Sequence, residues 1–177
     1  MRLLMVFTCA LVAAAATAVS VAADEPSSGA LSIEGGKGLV VLEIRGSVLG
    51  RLASGTLRVT DATPRDRYLP LVVGRKLTQE RIGPRTVVYR GQGLRFRMLG
   101  GGYRLVIRGD GLSLSAVGRG SVVLLGERKA ATDDAGVFSV DGVDCGEVPD
   151  ECLPLPSIAE RLVLQPNVPE GDPGSNR

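Results

Sequence analysis

The chain has 177 residues, 44% of them hydrophobic, with 21 basic and 19 acidic residues, no His and no Trp. The missing histidine excludes a Ser-His-Asp triad, a Cys-His dyad and any histidine-ligated zinc or copper site. A formal net charge of +2 and an aromatic complement of three Tyr and three Phe disfavour nucleic acid as a partner, and sugar platforms as well.

The N-terminal stretch MRLLMVFTCALVAAAATAVSVAADEP has the form of a secretory signal peptide. Arg2 gives a positive start, Leu3 to Val19 is apolar, and Val21-Ala22-Ala23 is a small-residue cleavage pattern. An uncleaved anchor helix fits less well, because the run ends in small residues at signal length. Residues 1–23 are therefore read as the signal, and Cys9 is lost with it. Cleavage leaves 154 of the 177 residues, enough for one domain with its own core. No second long apolar segment follows, so no transmembrane span is expected after cleavage.

Residues 24–29, DEPSSG, read as a flexible leader, residues 30–165 as a single all-β domain, and residues 166–177, PNVPEGDPGSNR, as a disordered tail. Short β-type runs separated by glycine fill the domain. In chain order they are Ala30–Ile33, Leu39–Arg45, Val48–Leu52 and Thr56–Thr60, then Leu71–Val73, Thr86–Arg90, Leu94–Leu99 and Tyr103–Arg108. Leu112–Ala116, Ser121–Leu125, Val137–Val140 and Arg161–Leu164 complete them. Their length and spacing predict a sandwich or barrel of short antiparallel strands. At most one short helical turn is expected, at the capping-box sequence Ser157 to Glu160. Residues 61–85 interrupt the rhythm as a long polar insertion with a small apolar patch at Leu69, Leu71, Val72 and Val73.

LEIRG at 42–46 resembles LVIRG at 105–109, and LGRLASGTLRV at 49–59 resembles LSAVGRGSVVL at 114–124. This weak repeat predicts a duplicated three-stranded meander. The period is too long for a solenoid of short repeats.

RGQGLRFRMLGGGYRLVIRGDG, residues 90–111, reads as a hairpin around a triple-glycine turn. Strand alternation turns Leu94, Phe96, Met98, Tyr103, Leu105 and Ile107 inward. It leaves Arg95, Arg97, Arg104 and Arg108 as one outward arginine face. The glycines have no following helix and no Gly-Lys-Ser/Thr ending, so they are not a phosphate loop. Arginine is abundant throughout, as it is in proteins of GC-rich bacterial genomes, which is the plain explanation of these residues.

Charge is divided along the chain. Residues 24–129 hold 18 basic against 9 acidic residues, and residues 130–177 hold 2 against 10. Either the acidic C-terminal region folds over the arginine face and neutralises it, or that face meets an anionic partner. Cys145 and Cys152, an even pair in an exported chain, are expected to form a structural disulfide. Around them Asp141, Asp144, Glu147, Asp150 and Glu151 form an acidic loop. Their spacing is not that of an EF-hand, so a solvated loop is expected rather than a calcium site. The same carboxylates, with Asp61, Asp66 and Glu80, are the only acid–base groups that could serve a glycosidase.

These features predict no enzyme, no cofactor, no metal and no catalytic residue. They predict a secreted or envelope-associated bacterial module of non-catalytic, binding or structural character. Its expected partner is an anionic envelope polymer, met through Arg95, Arg97, Arg104 and Arg108, or another extracellular protein. A carboxylate-dependent hydrolase of wall polymers is the competing class.

Overall fold

The computed structural model describes residues 29–64, 69–127 and 134–165. The expected signal peptide at residues 1–23, the expected leader up to residue 28 and the expected tail from residue 166 lie outside the described residues. The described chain is almost wholly antiparallel β-sheet, and its architecture is sandwich-like. Its strands are β1 (Ala30–Asp61), β2 (Leu71–Gly83), β3 (Thr86–Met98), β4 (Gly102–Gly126), β5 (Val137–Ser139), β6 (Leu153–Pro154) and β7 (Glu160–Leu164). They join in the order β2-β3-β1-β4-β7, with β5 on β1 and β6 on β5.

The short runs of the sequence are merged into long bent strands. The first four lie in β1 alone, and three lie in β4. Bending shows in the phase of burial. In β1 the buried positions are Leu31 and Ile33, then Val40, Leu42 and Ile44, then Val48 and Leu52, then Leu57 and Val59. The phase flips between odd and even twice, between Ile33 and Val40, where the β1–β4 register shifts at Gly36 and Gly38, and between Leu52 and Leu57, where the register is unbroken and Gly55 takes φ 147°. Gly46 marks a bend by another route. It takes an inward phase, but a Cβ there would stand 2.1 Å from the carbonyl oxygen of Val117. Only glycine lets the two backbones cross that closely.

These bends wrap the sheet on itself. Val41 lies opposite Val123 on one edge and opposite Val106 on the other. β4 runs unbroken from 106 to 123, so it must pass around the core and return beside its partner. The result is two layers over one core. The front layer holds residues 38–46 and 55–61 of β1, 102–109 and 119–126 of β4, 86–90 of β3, and β7. The back layer holds residues 30–34 and 47–52 of β1, 112–117 of β4, 94–98 of β3, and β5. Front residues Leu42, Leu57, Leu105 and Leu124 and back residues Leu31, Leu52, Leu94 and Met98 are all at most 1% exposed and share one cluster. Burying each such side chain stabilises the fold by about 1.5–3 kcal/mol.

The two copies of the weak repeat lie side by side in the sheet, but neither copy is a meander. Each copy is one bent strand, and the two pair with each other. Leu42 lies opposite Leu105, its repeat equivalent, and the pairs Val40–Ile107 and Ile44–Tyr103 exchange equivalent positions about it. That is an internal two-fold. The buried phase matches Val48 and Leu52 with Leu112 and Ala116, one residue away from the alignment of LGRLASGTLRV with LSAVGRGSVVL.

Two further expectations are corrected. Residues 61–85 are not a loop throughout, because Leu71–Gly83 is the edge strand β2, paired with β3. Its regularity is broken near Gly74 and at Lys76, which has φ 49°. Such irregularity blunts an edge against pairing with other chains. Among the described residues the one short helical turn is a 3-10 turn at Pro149–Glu151, not at Ser157–Glu160. Glu160 pairs with Leu124 at the start of β7, so sheet pairing overrides the local capping pattern.

Candidate functional groove on the back layer

Residues 90–111 do not form a hairpin. β3 pairs with β1 and β2, while β4 pairs with β1 and β7, so β1 lies between them. The triple glycine carries the chain across β1 rather than turning it back. The four candidate arginines are therefore divided. Arg95 and Arg97 lie on the outer face of the back layer, Arg104 and Arg108 on the outer face of the front layer. All four are exposed. Arg104 is tied to Glu43 at 2.8 Å. Arg95, Arg97 and Arg108 form no ion pair among the described residues.

Among the described residues no ion pair joins the acidic C-terminal region to them, although Asp144 lines the same groove as Arg95. The three ion pairs among the described residues are Arg51–Glu34, Arg90–Glu80 and Arg104–Glu43, and all three carboxylates precede residue 130. All are solvent-exposed pairs of small energetic value.

A groove runs over the back layer beside Arg95. Its larger part, about 690 Å³, is lined by Arg51, Arg75, Arg95, Glu34, Gly111 and Ser113. A second part, about 450 Å³, shares Arg51, Arg95, Glu34 and Ser113 and continues to Asp144 and Gly146. The depression follows from the bend. Gly93 and Gly111 sit there with φ of 57° and 63°, and neither has a side chain to fill the corner. Within the groove Arg95 lies directly opposite Arg51, and Arg51 lies opposite Ser113. Like charges on opposed strand positions repel. Glu34, 3.4 Å from Arg51, relieves part of that repulsion.

The far wall is held by the disulfide. Cys145 and Cys152 are bonded, and Cys145 is fully buried. Its N–H donates to Ser32 Oγ at 3.0 Å, which fixes the loop against β1. Gly146 N–H donates to Asp144 Oδ1 at 2.9 Å. The groove thus has a guanidinium-rich end and an end of serine hydroxyls and carboxylates.

The other acidic candidates do not gather there. Asp61 accepts the Thr63 N–H at 2.8 Å, Glu80 is paired with Arg90, and Asp66 lies outside the described residues. Asp141 is bonded to the Ser139 hydroxyl and accepts the Val143 N–H. These bonds, the Ser139 hydroxyl first, hold its carboxyl below the ordinary value. Among the described residues no group of three or more His, Cys, Asp or Glu is placed to hold a metal ion. Also among them, no helix is long and apolar enough to cross a membrane.

Arg51, Arg75 and Glu34 were missed by sequence reasoning. Arg51 and Glu34 had a signal: each falls in an outward phase of its strand. Their meeting with Arg95 depends on which strands are neighbours. No family model, curated protein or solved structure matches this chain.

Proposed function

We propose that the protein is an extracytoplasmic, non-catalytic module of the cell envelope that binds an anionic glycan chain in the back-layer groove. The opposed guanidiniums of Arg51 and Arg95 carry this reading. Two like charges side by side are favoured when an anion lies between them, and guanidinium forks suit carboxylate or phosphate oxygens. The rest of the groove suits a polyhydroxylated chain. Ser32, Ser113 and Ser115 offer hydroxyls, and Glu34 and Asp144 accept from sugar hydroxyls. Export rests on the signal-like N-terminus and agrees with the disulfide. Arg97 flanks the groove and adds charge. Arg104 and Arg108 belong to the other face.

The test is retention of the purified protein on immobilised polygalacturonate, with polyphosphate as an anion lacking hydroxyls. Binding to polygalacturonate is expected to exceed binding to polyphosphate and to fall with salt. R51E/R95E is expected to weaken it by about tenfold or more, roughly 1.4 kcal/mol or above. Unchanged affinity in that variant, with its fold intact by thermal melt, would remove the groove from the reading. Release of reducing ends from the polymer would move the protein to the hydrolase class.

A further inference from the structure

The front layer presents its own arginines on the opposite side of the core from the groove. Arg45 lies directly opposite Arg119, Arg58 opposite Val106, and Arg108 between Thr56 and Leu39. None of these four forms an ion pair among the described residues. The two carboxylates in the same rows are already engaged, Glu43 by Arg104 and Glu80 by Arg90, each at 2.8 Å. The centre of the face is Val41, Val106 and Val123, half-buried among the arginine stems. Arg45 and Arg108 are equivalent residues of the repeat. They stand at opposite ends of the β1–β4 pairing around Leu42 and Leu105, about 20 Å apart at strand rise. Among the described residues this is a broad basic face whose two carboxylates are already paired, a surface complementary to a polyanion.

We propose that the front face is a second polyanion-binding surface, so that one molecule bridges two anionic glycan chains. The proposal rests on the groove reading, because it needs a first chain held on the back. The wrapped sheet keeps the two surfaces on opposite sides of one rigid core, so a chain on one does not obstruct the other. The front contact is the flatter and more solvated, so its charges are screened more strongly. The second chain should therefore be lost at lower salt than the first.

A two-sided capture assay tests it. Polygalacturonate is coated on a plate, the protein is bound to it, and fluorescently labelled polygalacturonate is then added at about 50 mM salt, where screening is weak. The wild type is expected to capture labelled chains. R45E/R58E/R108E/R119E is expected to bind the coat with a Kd within about threefold of wild type, yet to capture under about a tenth of the label. Thermal melts of the variants check that they fold. Wild type that binds the coat but captures no label overturns bridging and leaves the groove reading standing. A quadruple variant that captures as well as wild type overturns the front face as the second surface. No binding to the coat by wild type overturns both readings.

Discussion

At the scale of single residues, the chain's demands are mostly steric. Gly46 sits where two strands cross, and a Cβ there would stand 2.1 Å from the Val117 carbonyl oxygen, a backbone atom that cannot rotate away. Gly46→Ala is expected to destabilise the protein by about 3 kcal/mol or more, read from urea unfolding. Gly83→Ala is the control. Its nearest neighbour would be Thr86 Cβ at 3.9 Å, an ordinary contact, and its cost should be within about 0.5 kcal/mol. A similar loss in both would mean that the crossing is not the cause.

Asp141 is a residue whose charge is held by local hydrogen bonds. Its folded value lies below the ordinary 3.8 because the Ser139 hydroxyl and the Val143 N–H bond the carboxylate. A depressed carboxyl stabilises above the unfolded value, and that contribution is lost as pH falls through the folded value. Wild type should therefore exceed Asp141→Asn in stability by most well above the ordinary carboxylate range, with the gap closing as pH falls through the folded value. A gap that widens in acid would contradict the assignment.

At the scale of elements, alternation was legible and neighbourhood was not. Leu94, Phe96 and Met98 are buried and Arg95 and Arg97 exposed, as strand phase demands. The hairpin at 90–111 failed because a glycine turn specifies that the chain changes direction, not which strand it joins. β1 stands between β3 and β4, and that choice is made by long-range burial. The groove was lost to sequence reasoning for the same reason: Arg51 and Arg95 are 44 positions apart and meet only through the β1–β3 register. The disulfide, in contrast, is local, with its cysteines seven residues apart. Replacing both with serine should cost about 2–3 kcal/mol through the freed loop. It should also weaken polygalacturonate binding, because the same loop holds Asp144 and Gly146 at the groove wall. A melt that shifts without any loss of binding would separate the loop from the site.

At the scale of the whole molecule, wrapping decides where charge goes. A flat sheet with these residues would gather its arginines on one side. The coil instead sends them to two outer faces, with the front face the more basic and the back face concave. The charge asymmetry between residues 24–129 and 130–177 suggested internal neutralisation. The ion pairs among the described residues are all drawn from within the basic part, and Asp144 reaches the basic side only as part of the groove lining.

The sequence by itself determined the all-β class, the inward and outward residues of most strands, the disulfide and the absence of histidine chemistry. Each of these follows from local alternation, short separation or composition. Only the tertiary structure decided that the repeat copies pair with each other, that the four candidate arginines are divided between two faces, and that Arg51 and Glu34 join Arg95 in a groove. Strand partnership and register are selected by burial of the whole core, and no short stretch of sequence contains that information.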